Sequence, residues 1–154
     1  MELREATTDD IDVLADFWFE LASEMEQYSE LNELAHDSPE TAKDGLRKLL
    51  ELDDSTVFLL QTDGETIGYL LLNADTHPSR EIARYTKIVD LFVKPGYRSR
   101  GYGSTVIEAV KQYASENGAD YLTVACEWEN DGARRFYKDN GFTEKQVTFA
   151  QRLG

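Results

Sequence analysis

The chain has 154 residues, enough for one domain with its own core, and 41% of them are hydrophobic, which excludes wholesale disorder. Asp+Glu number 30 against 16 Lys+Arg, and the formal net charge of -14 excludes the basic footprint of a nucleic-acid binder. The single cysteine, Cys126, leaves no disulfide framework, no apolar run nears the ~20 residues of a membrane span, and "MELREATTDD" lacks a basic-then-apolar leader layout. A soluble, cytoplasmic protein is expected. The acidity has two readings: a solvated surface of the kind suited to a salty cytoplasm, or a negative field that draws in a cationic substrate such as an amine.

In chain order, "LREA" reads as a first strand. Thr8 stands where a cap belongs, and Ile11, Leu14, Ala15, Trp18, Leu21, Ala22 and Met25 recur at helical spacing. "QYSELNELAHD" breaks that spacing as a loop. Ser38 and Pro39 open a second helix running to about Leu52, with Leu46, Leu49 and Leu50 on its apolar face. "TVFLLQ" and "TIGYLLLN" flank Asp63-Gly64, which supplies the positive backbone angles of a tight hairpin. The polar stretch "NADTHPSRE" leads into a strand from about Arg84 to Val93. A third helix begins at Tyr102, buries Val106, Ile107, Ala109, Val110 and Tyr113, and stops at Asn117-Gly118. "DYLTVACEW" is a further strand with Cys126 in its apolar interior. Asn130 or Asp131 caps a fourth helix that ends at Asn140-Gly141, and "FTEKQVTFAQRL" alternates as a closing strand. The order β-α-α-β-β-β-α-β-α-β describes one mixed α/β domain over residues 1–154. Its strands 2 to 4 form an antiparallel meander, followed by a parallel, right-handed crossover.

The stretch "VDLFVKPGYRSRGYGS" joins a strand to a helix through two arginines and two close glycines. It is not a Walker loop, because Tyr102 rather than lysine follows Gly101. Nor is it a dinucleotide fingerprint, whose third glycine would fall on Val106. Two readings remain from the residues: a glycine-eased junction, or an anion cradle. In the cradle, first-turn N–H groups face a diphosphate, Gly101 and Gly103 clear its approach, and Arg98 and Arg100 add positive charge.

A second block, "VACEWENDGARRFYKDNGF", sets Asn130, Ala133, Tyr137 and Gly141-Phe142 in a strand–helix–turn unit. Together with "LFVKPGYRSRGYG" it resembles the GNAT superfamily of N-acetyltransferases, whose fold matches the element order along nearly the whole chain. The resemblance implies a central, mostly antiparallel sheet splayed between strands 4 and 5, and acetyl-CoA as the acetyl donor. It implies a pyrophosphate loop of Arg98, Ser99, Arg100, Gly101, Tyr102, Gly103 and Ser104. It also implies main-chain contacts to the cofactor arm from Leu91, Phe92 and Val93, and an oxyanion donor at Leu91. Asn130 and Ala133 would lie along the cofactor arm, with Tyr137 near its sulfur as proton donor; the alternative readings by residue type are an amphipathic core residue for Tyr137 and an ordinary cap for Asn130.

Many relatives carry a glutamate on the fourth strand where this chain has Val89. The remaining carboxylates for a general base are Asp90, which strict alternation turns to the opposite face, and Glu127 at the end of the fifth strand. Some resemblance extends to the spermidine/spermine and diamine acetyltransferase branch. The acceptor, a small-molecule or peptide amine, is expected among loop residues Tyr28, Glu33, His36, Glu81 and Tyr85. His36 and His77 have no partner at metal-ligand spacing, so no metal is expected. The family often pairs through its C-terminal strands, which makes a homodimer an expectation. A GNAT-fold module that binds acyl-CoA without turnover is the alternative function.

Overall fold

The computed structural model describes residues 1–154. Its regular elements are β1 (Glu2–Glu5), α1 (Ile11–Met25), α2 (Lys43–Leu50), β2 (Ser55–Thr62), β3 (Glu65–Thr76), β4 (Arg84–Val93), α3 (Tyr102–Glu116), β5 (Tyr121–Val124) and α4 (Asp131–Asp139). The sheet has five strands in the order β1-β2-β3-β4-β5. β1 to β4 pair antiparallel and β5 joins β4 in parallel, as a helical crossover requires. Nine of the ten elements expected from the sequence therefore form in their expected order.

Local signals set most boundaries. Thr7, one residue before the expected Thr8, makes the capping box that leads into α1. Its side chain accepts from the Asp9 N–H, and its own N–H donates to Asp10 at 2.8 Å. Asp63 and Gly64 turn the β2–β3 hairpin with φ of 49° and 79°. Gly118 and Gly141, at φ of 82° and 91°, follow the ends of α3 and α4.

Each face of the sheet has its own apolar cluster. Leu14, Ala15 and Phe17 of α1 and Leu46 of α2 pack on Leu59, Tyr69, Leu71 and Phe92. On the other face, Val106, Ile107 and Val110 of α3 pack on Leu60, Ile67, Leu70, Leu72 and Ile88. These two clusters expose an irregularity in β4. Ile88 faces α3 whereas Phe92 faces α1, although strict alternation would put them on one side. A β-bulge explains it: Leu71 opposes Asp90 and Leu72 opposes Ile88, so Val89 has no partner and projects outward, 42% exposed.

Two expectations for the C-terminal third are corrected. β5 stops at Val124, because its pairing with β4 ends at Ile88↔Val124, immediately before the bulge. Cys126 consequently lies beyond the strand and is exposed rather than inside the core. The closing strand does not form: residues 143–154 carry no regular structure, and Val147, Phe149 and Leu153 point into solvent.

Candidate active site

From Val89 to Val93, β4 has β3 on one side and no strand on the other. Backbone polarity along a strand alternates, and the Lys94 N–H donates to Ile67 of β3 at 2.8 Å. Leu91 and Val93 therefore turn their N–H and C=O groups toward the open edge. The cleft between β4 and the end of β5 is thus lined on one wall by backbone with no strand partner, and it begins where the bulge ends the parallel pairing.

At the mouth of this cleft stands the turn from Pro95 to Gly101. Ser99 and Gly101 adopt φ of 61° and 84°, bringing the chain sharply into α3. No side chain caps α3, and its first main-chain bond runs from the Thr105 N–H to the Gly101 carbonyl at 3.1 Å. The N–H groups of Tyr102, Gly103 and Ser104 thus lack intrahelical partners at the positive end of the helix dipole. Gly101 is required by its positive φ, with open space where a side chain would stand. Gly103 has a different reason from the one expected. A Cβ there would lie 2.9 Å from the Phe136 ring, so this glycine makes room for α4 rather than for a ligand.

The two arginines also differ from expectation. Arg98 turns back: its Nε donates to the Val93 carbonyl at 2.7 Å and its guanidinium pairs with Glu24 of α1 at 2.8 Å. The same group lies 5.5 Å from the Phe92 ring centre. Arg100 lies over the Tyr97 ring at 5.3 Å, and the Tyr97 hydroxyl bonds Glu65. Only Arg100 is left free of carboxylate partners near the turn.

The bulge carries Asp90 onto the α1 face, against the alternation argument. Its Oδ2 accepts from the Tyr69 hydroxyl at 2.9 Å. Tyr69 is 1% exposed and is held by Phe17 and Phe92, with ring centres 6.3 Å away in each case. Burial raises the Asp90 carboxyl above the ordinary range, and the Tyr69 hydrogen bond offsets part of that rise. Tyr69 was missed in the sequence because its β3 stretch reads as uniformly apolar. Tyr137, on α4, packs at the edge of the α3-side cluster between Phe136 and Phe142, at 5.1 and 5.6 Å. Burial, then Cys126 and then Asp90, push its phenol up to about 12.

Asn130 caps α4 by accepting from the Ala133 N–H at 3.1 Å. Glu127 lies past the end of β5, where its Oε1 accepts from Asn32 at 2.9 Å, and Asn32 also bonds the Met25 carbonyl. The segment after α1 is thereby tied to the same end of the sheet. Tyr28 and Glu33 belong to that segment, with the exposed His36 a few residues further on. Glu81 and Tyr85 do not join this group. Tyr85 opens β4, some six residues or roughly 20 Å from Leu91 along the strand. It stacks between His77 and Tyr121 at 4.9 and 5.3 Å and donates to Asp75 at 3.2 Å.

A model of the acetyltransferase (GNAT) family matches residues 15–142. The chain belongs to the GNAT family. As a GNAT protein it is 34% identical over 144 residues to an uncharacterised N-acetyltransferase, YhfO, of Bacillus subtilis, covering 94% of this chain and 91% of that one. An uncharacterised N-acetyltransferase of Archaeoglobus fulgidus is 30% identical, with 89% of each chain covered. The fold superposes on the BH1408 protein of Bacillus halodurans with a TM-score of 0.88 at 21% identity, covering 99% and 100% of the two chains. With these relatives, this GNAT chain is an N-acetyltransferase. No helix in it is long and apolar enough to cross a membrane.

Proposed function

We propose that the protein transfers the acetyl group of acetyl-CoA to a primary amine of a small molecule or peptide, by direct attack with both substrates bound. The observation that carries this reading is the open edge of β4, where free backbone donors stand beside the half-buried Asp90 carboxylate held by Tyr69. The donor set suits the cofactor. The unpartnered N–H groups of Tyr102 to Ser104, with the turn of Arg98 to Gly101 before them, suit a diphosphate, and Arg100 adds positive charge. Leu91, Phe92 and Val93, with Asn130 and Ala133 across the cleft, would hold the arm, and Arg98 must yield the Val93 carbonyl if the arm is to bond there. Bound acetyl-CoA supplies the thioester and its leaving thiol.

The chain's own groups divide the remaining work. The Leu91 N–H, turned to the open edge of β4, would stabilise negative charge on an acyl oxygen held there, and one such fixed donor is typically worth ~3–4 kcal/mol of barrier. Asp90 accepts the proton of the attacking amine. Its raised pKa brings it nearer to the amine's own and makes it a better acceptor. Tyr137, whose phenol is pushed up to about 12, would hold the proton that a leaving thiolate needs. Glu127 is engaged by Asn32 and serves better as an anchor of the acceptor wall than as a base. Glu33, on the segment that Asn32 ties to this end of the sheet, favours a cationic amine over an anionic one, whereas Glu24 and Glu30 are paired with Arg98 and Arg152. The binding-module alternative rested on the absence of an acid at Val89, and Asp90 supplies that acid from the next position.

Thiol release from acetyl-CoA across polyamines, amino acids, aminoglycosides and peptides tests the reading, at low and at multimolar salt. Tyr137→Phe is expected to keep CoA-induced thermal stabilisation and lose turnover about 10²-fold or more. Stabilisation by CoA with no thiol release on any amine would refute it.

A further inference from the structure

The sheet has a second opening, at the end of β4 away from the cleft. Under the last turns of α3, a cavity of about 270 Å³ is floored by Leu72 and Thr86 and walled by Tyr113 and Asn117. Its place follows from parity, because Thr86 lies two residues before Ile88 and shares its α3 face. Five residues of strand, or roughly 17 Å, separate Thr86 from Leu91, so an occupant lies beyond reach of the proposed acetyl transfer.

Thr86 makes this cavity more than a surface dent. It is 5% exposed and the one buried polar residue of the chain. Beside it, Thr56 and Tyr113 pair their hydroxyls at 3.2 Å. The Thr86 hydroxyl bonds no other group of the chain, yet no side-chain polar atom sealed in the interior lacks a partner. Its oxygen therefore opens into the cavity, with a hydrogen bond to give.

Charges of both signs stand at the rim. Arg84, two residues before Thr86 on the same face of β4, pairs with no carboxylate and reaches only the Asn117 carbonyl, at a long 3.5 Å. Asp53 and Asp54 lead into β2, and neither pairs with a lysine or arginine. With β3 between them, β2 and β4 run roughly 10 Å apart, which keeps the guanidinium and the two carboxylates on opposite sides of the opening. A hydroxyl and a guanidinium on one wall suit a carboxylate, and two carboxylates on the other suit an ammonium. The volume falls just under the ~300–1,000 Å³ of drug-sized pockets, which limits the occupant to a small molecule.

We propose that this cavity binds a small zwitterion of the amino-acid class, with its carboxylate on Arg84 and Thr86 and its ammonium on Asp53 and Asp54. The occupant is an effector and not the acetyl acceptor. The inference rests on the cavity and its charges and not on the acetyl-transfer reading.

Calorimetric titration of the full chain with the free L-amino acids tests it, with n-butylamine and butyrate as probes that keep one charge each. At least one amino acid is expected to bind once per chain, and neither single-charge probe should match it. Thr86→Val, which keeps the side chain's shape, and Arg84→Gln should each weaken that binding about tenfold or more. Asp90→Asn should leave it unchanged. In two-dimensional NMR the amides of 54–56, 84–86 and 113–117 should shift on titration, while those of 89–104 stay in place. Binding by no amino acid would overturn the proposal, as would equal binding of butylamine or butyrate. So would affinity that survives both Thr86→Val and Arg84→Gln, or shifts confined to 89–104, which would put the amino acid in the cleft as an acceptor.

Discussion

Replacing Asp90 with asparagine separates the two consequences of burying that carboxylate. Asparagine keeps the volume and an acceptor oxygen for the Tyr69 hydroxyl, which now donates to Oδ2 at 2.9 Å. What it removes is the proposed acceptor of the amine's proton. A positioned general base contributes about 10²–10⁴-fold, so kcat should fall by that factor near neutral pH. The deficit should shrink as pH approaches the amine's own pKa, where substrate arrives already neutral. Stability moves the other way. The folded state holds the Asp90 proton to higher pH than the unfolded chain does, because burial raises its pKa. Wild-type stability is therefore lost as pH rises from the ordinary carboxylate value through the folded one, and asparagine escapes that loss. The variant should melt higher than wild type at pH 7 and converge with it at about pH 4. Thiol-release rates and melting curves across pH provide both readouts. Unchanged kcat at pH 7, or a lower melting temperature there, would refute the assignment.

Tyr69→Phe keeps the ring between Phe17 and Phe92 but removes the bond that favours the charged form of Asp90. The acidic limb of kcat/KM should move to higher pH, at a stability cost of about 1–3 kcal/mol measured by denaturant titration. Gly101→Ala meets open space but must hold φ near 84°, so it should cost ~1–2 kcal/mol by the same titration, with a weaker CoA affinity by calorimetry. Gly103→Ala drives a methyl into the Phe136 ring and should cost ~1–3 kcal/mol. Pairing it with Phe136→Leu should recover much of that loss in melting temperature.

The sequence was informative wherever a signal is local. Asp63-Gly64, Asn130 and Gly118 each act within a turn or two, and the elements they bound lie where expected, whereas Ser38-Pro39 opens a 3-10 turn over Pro39–Ala42 and α2 itself starts at Lys43. The turn proposed to hold the cofactor was legible as a turn for the same reason, because its spacing is fixed by one strand-to-helix junction. What failed depends on partners remote in the chain. Alternation put Asp90 on the wrong face because a bulge is a mismatch between two strands and leaves no mark on one of them. Gly103 looked like a ligand's glycine until Phe136, on another helix, came to lie over it. Arg98 looked like a free charge until Glu24 was found beside it. The tail has strand character, but character does not pair a strand; an edge must be there to receive it.

The unpaired Val89 has a consequence for how this site tolerates change in length. Side-chain identity at position 89 matters little, since it faces solvent. Its presence as a residue matters a great deal, because it sets which way every later position of β4 looks. Deleting it would force a choice on the strand. Either Ile88 leaves the cluster under α3, or Asp90 and Phe92 leave Tyr69 and Phe17. A one-residue deletion in β4 should thus abolish the carboxylate's position while every residue of the proposed chemistry remains in the chain.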